Sequence, residues 1–184
     1  MKVPRCIRLP VKVTSFKLVT FVDASTRAFG AAIYARFEYE PPHPPTCRLL
    51  ASKSKVAPLV PVTVPRLELM AAVTGLRLSQ VIIRVLEILM SAVKFYSDSL
   101  DILWWIRGHG KDFRAFVANR VGEIQMQSDP QQWQHVSTEQ NPADLVSRGV
   151  NAEDIIDNSL WWNGPDCLLK SEEQWPKIDC DNPP

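Results

Sequence analysis

The sequence predicts an α/β domain, a mixed five-stranded sheet of three antiparallel strands followed by strand–helix units, with helices on both faces. Three observations predict it. Residues 18–56 hold three consecutive strand-like runs joined by short loops. A long apolar stripe at three- and four-residue steps follows. Two further short strand-like runs then alternate with helical ones.

In the first run, Leu18, Thr20 and Val22 alternate with Val19 and Phe21, so both faces carry strand-forming side chains. Such a run suits a strand buried on both sides. It ends on Asp23. A buried, unpaired carboxylate is costly, so Asp23 is expected to have a partner, a metal ion or the backbone of a turn. Ala24 and Ser25 are small, and Gly30 opens the second strand where another backbone can come close. The second strand runs to about Glu40 and ends at the proline-stiffened loop 41–45. Residues 47–56 form the third strand, with Lys53 and Lys55 on one side.

Pro61 to Pro65 lead into a long helix whose stripe is Leu67, Met70, Ala71, Thr74, Leu78, Val81, Val85 and Leu89. Pro65 suits its first turn. Glu68 is expected in that turn as well, beside the stripe, where a carboxylate also complements the positive helix end. Residues 93–96 form a short strand, again followed by an acid, Asp98. A short helix with Leu100, Leu103, Trp104 and Ile106 comes next, and Asp98 suits its N-cap. RGHGKDFR, residues 107–114, is a Gly-rich basic loop. Phe116, Val117, Val121 and Ile124 then form one helix face over about 115–127. Residues 132–136 are the last strand, and ADLVSRG, 143–149, the last helix, with Asp144 at its N-terminal end.

The order β-β-β-α-β-α-α-β-α places the fourth strand beside the first, so Asp23 and Asp98 fall at adjacent strand ends. The starts of the long helix and the last helix then bring in Glu68 and Asp144.

With 184 residues and 46% hydrophobic content, the chain supports one cored domain with room for an appendage. The expected division is a connector at 1–15, the domain at 16–150 and a C-terminal extension at 151–184. A net charge of +1 gives no bulk signal for polyanion binding, so any basic surface must be local. Cys6, Cys47, Cys167 and Cys180 form no CxxC pair, which argues for reduced thiols rather than zinc or a disulfide framework. The run VIIRVLEILMSAV is broken by Arg84 and Glu87 and reads as too short to span a bilayer. No signal-peptide pattern opens the chain, so an intracellular location is expected.

The set FVDAS, PRLELMAA, FYSDS and NPADLVSRG resembles the ribonuclease H domain of a BEL/Pao-type LTR retrotransposon polyprotein. SKSKVAPLVPVTVPRLELMAA, WQHVSTEQNPADLVSRG and LWWNGP are similar to the same family, and the resemblance spans about residues 15–165. It implies a ribonuclease H-like fold that hydrolyses the RNA strand of RNA–DNA hybrids during reverse transcription, with two Mg²⁺ ions, or Mn²⁺, held by four carboxylates. On that resemblance Asp23 bridges both ions, Glu68 and Asp98 hold one, and Asp144 helps hold the other. The implied partners are the hybrid, an upstream reverse transcriptase and a downstream integrase, with no membrane. The implied place is the cytoplasm, within virus-like particles.

Lys53, Lys55, Arg107, Lys111, Arg114 and Arg120 are candidate nucleic-acid contacts, each also compatible with a plain solvated surface. The loop STEQNPAD lacks the His that many ribonucleases H carry before the last acid; His135 lies earlier, in the predicted strand, and Glu139 is in the loop. Trp104 is expected in the core, while Trp161 and Trp162 resemble the link towards integrase. A catalytically silent nucleic-acid-binding or assembly module, from a decayed or domesticated element, is the alternative. An integrase or transposase is disfavoured because Glu68 lies between the two Asp residues rather than after both.

Overall fold

The structure, a computed structural model, describes residues 6–109 and 113–177. Its sheet has the strands β1 (Val13–Ala24), β2 (Ala28–Tyr39), β3 (Thr46–Val56), β4 (Val93–Ser97) and β5 (Trp133–His135) in the order β3-β2-β1-β4-β5. β1 pairs antiparallel with β2, and β2 with β3, while β4 lies parallel to both β1 and β5. The three-strand meander and the fourth strand beside the first are therefore as the sequence predicts. β1 starts five residues earlier than its apolar run, because Val13 to Lys17 continue the ladder against β2. The segment before it packs too: Ile7, Leu9 and Val11 lie against Phe37 and Tyr39, and Leu9 N–H donates to Tyr39 Oη at 3.0 Å.

One face of the sheet carries α1 (Val64–Leu86), α2 (Leu100–Arg107) and α3 (Ala115–Gln127). Leu18 and Val22 of β1 meet Leu67, Ala71, Leu76, Leu103, Val121 and Ile124 there. Contact between α1 and the sheet is close at Gly75, where an added Cβ would stand 2.6 Å from Val22 Cγ1. One turn on, the hydroxyls of Ser79 and Thr20 share a buried hydrogen bond of 2.7 Å. Pro65 occupies the first turn of α1 as expected, but Glu68 falls one turn further in, beyond the pull of the helix end. The apolar stripe also fails in the second half: Val81 is 55% and Val85 74% exposed, and Leu89 lies past the helix. A 23-residue helix is about 35 Å long, and its fully buried residues end at Ser79. By length and composition alone α1 is long and apolar enough to cross a membrane, a test that a core helix also passes; here its first half is sheet core.

The opposite face is covered by α4 (Asp144–Arg148), α6 (Ser159–Asn163) and the chain beyond them, with α5 (Ala152–Ile156) between the two. Val19, Phe21, Tyr34, Cys47 and Tyr96 of the sheet meet Ala143, Leu168 and Trp175 there, with Trp161 packed alongside. Arg36, only 2% exposed, fixes this layer. Its Nε donates to Leu168 O at 2.5 Å, its Nη2 to Lys170 O at 2.9 Å and its Nη1 to Glu38 Oε1 at 2.6 Å. The guanidinium carbon lies 5.0 Å from the centroid of the Trp175 ring. A buried cation is tolerable only when its donors are matched this fully. Tyr34 Oη likewise donates to Trp161 O at 2.8 Å. Burial pushes the Tyr34 hydroxyl above its ordinary pKa, and the Cys47 thiol beside it up to about 12, so both stay neutral.

Trp175→Ala is expected to lower the unfolding free energy by about 3 kcal/mol, the scale for emptying a buried Trp site. Urea denaturation checks this, and an unshifted midpoint would mean the C-terminal layer is not part of the folded unit.

Candidate active site

The parallel pairing of β1 and β4 sets the site. Val22 lies opposite Ser97, and the next residues on the two strands are Asp23 and Asp98. Asp23 is 6% exposed and faces Gly30 across the ladder with β2. α1 carries Glu68 to the same edge, where it accepts a hydrogen bond from Ser99 Oγ. Ser99, rather than Asp98, precedes α2 as its cap residue, which leaves the Asp98 carboxylate free of a capping role. Asp144 opens α4 and pairs with Arg148 one turn later.

Asp23 senses the charges of Asp98 and Asp144, and Glu68 senses that of Asp98. Desolvation raises the pKa of Asp23 to about 7; a hydrogen bond from Ser147 opposes that rise, and the Asp98 and Asp144 charges add to it. Glu68 is also raised, first by burial and then by Asp98 and Asp101, with Ser99 opposing. Arg148 is raised by Asp144 and, more weakly, by Asp23 and Asp98. Among the described residues, however, no three His, Cys, Asp or Glu side chains stand close enough to enclose a metal ion. The donor chemistry nevertheless fits a hard divalent cation: all-oxygen ligands, like charges crowded at one edge, and one carboxylate held out of water.

Three uncharged residues hold these acids, and sequence reading did not single them out. Asn141 Nδ2 donates to Asp98 Oδ1 at 3.2 Å and to Val22 O at 3.1 Å. Ser147 Oγ donates to Asp23 Oδ2, and Ser99 to Glu68 as above. Their one signal was spacing: Asn141 and Ser147 flank Asp144 by three residues each way, and Ser99 follows Asp98 directly. Gly30 meets its expectation of close approach, since an added Cβ would lie 2.2 Å from Lys53 O and 2.6 Å from Val146 Cγ1 in α4.

The basic candidates are dispersed. Lys53 and Lys55 are exposed on β3 at the acid-bearing edge, opposite Ala31 and Phe29. Lys55 and Arg120 line one cleft of about 270 Å³ with Arg77 and Asn119. Arg120 also covers the Phe116 ring, its guanidinium carbon 3.6 Å from the centroid. Arg107 Nη2 donates to Trp133 O at 2.7 Å, which ties it to β5. Arg114 is exposed just before α3, and Lys111 lies outside the described residues. His135 sits half-buried in β5 opposite Ser97, and Glu139 is exposed in the loop after it. Trp104 is half-buried in α2, short of the core position expected.

Two substitutions test this geometry. Gly30→Ala is expected to cost about 1–3 kcal/mol by forcing α4 off the sheet, measured as a loss in urea midpoint. Asp23→Asn is expected to stabilise the metal-free protein at neutral pH. The folded pKa of Asp23 is raised above its unfolded value, so its favourable contribution is complete below about pH 4 and lost as pH rises through about 7. With chelator at pH 8 the variant should gain about 1–3 kcal/mol, and the gain should vanish near pH 4. An equal or lower melting temperature at pH 8 would refute the burial of charge.

Comparison with solved structures finds similarity to the N-terminal ribonuclease H domain of a Mycobacterium tuberculosis protein fused to maltose binding protein, with TM-score 0.46, 15% identity, and 73% of this chain and 92% of that chain covered. LC11-RNase H1, solved in complex with an RNA/DNA hybrid, gives TM-score 0.48 and 17% identity over 76% of this chain and 99% of that chain. Ribonuclease H1 from Halobacterium salinarum gives 0.42 and 12% over 72% and 94%. No curated protein matches the chain. A family model, the Pao retrotransposon-like RNaseH-like domain, matches residues 1–99, which carry Asp23, Glu68 and Asp98 together with the four strands and the helix that position them. The chain therefore belongs to the Pao retrotransposon-like RNaseH-like domain family.

Proposed function

We propose that this domain is a metal-dependent endoribonuclease that hydrolyses the RNA strand of RNA–DNA hybrids during reverse transcription. The observation that supports the reading is the pair Asp23 and Asp98 at neighbouring strand ends, with Asp144 in electrostatic reach of Asp23 and Glu68 in electrostatic reach of Asp98. Asp23 at the end of a buried strand is the least hydrated of them and has the most to gain from a cation.

Asp23, Glu68, Asp98 and Asp144 would together hold two divalent ions, Mg²⁺ or Mn²⁺. When bound, such a pair activates water and stabilises the leaving oxygen of a phosphodiester. The chain's own part is to aim carboxylate oxygens at one place and to keep competing cations off them. Asn141, Ser147 and Ser99 aim three of the acids through neutral donors, which orient a carboxylate without cancelling its charge. Arg148 is the exception and would have to leave Asp144 before that acid could serve. No nucleophilic side chain is needed. Lys53, Lys55 and Arg120, with Arg107, Lys111 and Arg114 further along, are the proposed phosphate contacts, and the 2′-hydroxyl is the handle that distinguishes RNA from DNA. In the same reading residues 16–150 are the catalytic unit. The domain works in the cytoplasm within virus-like particles, between the reverse transcriptase and integrase parts of a polyprotein.

The Arg148–Asp144 pair favours a second reading, a silent nucleic-acid-binding module whose site is closed by its own cation. One assay separates the two. Labelled RNA–DNA hybrid should be cut only in its RNA strand with Mg²⁺ or Mn²⁺, and not at all with chelator. Asp98→Asn should slow cutting by ~100-fold or more, beyond the scale for losing an outer partner. Folded protein that binds hybrid but cuts in neither metal would establish the silent module instead.

A further inference from the structure

Asn141 and Ser147 are each 1% exposed, and each donates to a different acid on a different strand. Asn141 Nδ2 reaches Asp98 Oδ1 and also the carbonyl of Val22, the residue before Asp23. Its Oδ1 accepts from Ala143 N at 3.1 Å, which fixes the orientation of the amide. Ser147 Oγ approaches both Asp23 Oδ2 and, at 3.2 Å, Asp144 O; a hydroxyl has one proton, and the shorter contact is to Asp23. Ser147 is held in turn by Ser25 Oγ, which donates to its carbonyl at 2.7 Å. The segment 141–147 thus touches Asp98 at one end, carries Asp144 in the middle and touches Asp23 at the other.

Resting on the reading of the four acids as metal ligands, we propose that Asn141 and Ser147 are positioning residues that clamp Asp98 and Asp23 beside Asp144 and so set the affinity of the site for divalent cations. Adjacent carboxylates repel, and unrestrained they turn apart. A neutral donor resists that turn and leaves the remaining lone pairs of each carboxylate open, which an Arg or Lys in the same place would not. Partners of this kind characteristically tune the metal rather than bind it.

The test is a calorimetric titration of the full chain with Mn²⁺, without nucleic acid, on the wild type and the variants Asn141→Ala, Ser147→Ala and Ser25→Ala. Asn141→Ala and Ser147→Ala should each weaken binding by ~10–100-fold, while Ser25→Ala, which loosens the same turn of α4 but leaves both carboxylate donors, should stay within ~2-fold of wild type. Thermal unfolding in chelator confirms that each variant is folded. If Asn141→Ala does not fold, Ser147→Ala decides alone, since it removes a single oxygen. Wild-type affinity in folded Ser147→Ala, or an equal loss in Ser25→Ala, would overturn the clamp. A wild type that binds Mn²⁺ but cuts no hybrid leaves the clamp standing and removes only the ribonuclease reading. A wild type that binds no Mn²⁺ removes both.

Discussion

The parallel pairing of β4 on β1 is the constraint from which the rest follows. It ends two buried strands at the same level, and each runs on into an aspartate. Two carboxylates on neighbouring strands, one of them almost wholly out of water, are unfavourable unless something is arranged around them. The meander supplies β2 and Gly30 on one side, leaving space for α4 to approach. Gly75 lets α1 lie close enough to hold Glu68 at the edge. The placement of every other acid reads as a consequence of that one strand pair.

The molecule answers the repulsion mainly with neutral donors rather than with cations. Amide and hydroxyl groups stabilise an ionised carboxylate by less than a guanidinium would, which is consistent with the raised pKa of Asp23 and Glu68. On the far side of the sheet the opposite solution is used. There Arg36 is buried with each of its three nitrogens donating, to two carbonyls and a glutamate. One sheet therefore shows two ways of burying charge: a guanidinium held by carbonyls, a glutamate and a ring on one face, and carboxylates held by neutral donors at one end.

Much of this was legible in the residues. The alternation of Leu18 to Val22 and the stripe from Leu67 to Thr74 gave the sheet order, because strand period and helix period are local properties, and the acid after each buried strand marked Asp23 and Asp98 for neighbouring strand ends. What was not legible depends on distant partners. Val81 and Val85 continue the stripe of α1 on paper but stand beyond Ser79, the last fully buried residue of the helix. Arg107, a candidate nucleic-acid contact in sequence, is tied to the carbonyl of Trp133, and Arg36, which nothing local marks, meets carbonyls more than a hundred residues away. Nothing local in the sequence singles out Asn141 and Ser147, and only the folded positions of Asp98 and Asp23 reveal what they hold.

The docking of the C-terminal layer on Arg36 also has a temporal side. Leu168 and Lys170 are separated from Arg36 by 132 and 134 residues along the chain. Contacts of that sequence separation form late, because the entropy of closing so long a loop must be met first. On a ribosome the meander and its buried guanidinium emerge well before the carbonyls that satisfy it. Until Lys170 has cleared the exit tunnel, the layer on this face is incomplete and the guanidinium has only Glu38, two residues along its own strand, to pair with. Completion of this domain is thus timed by the arrival of a segment that lies beyond all four acids, and a nascent chain stopped just after Asp144 would carry every carboxylate of the site on a sheet not yet closed.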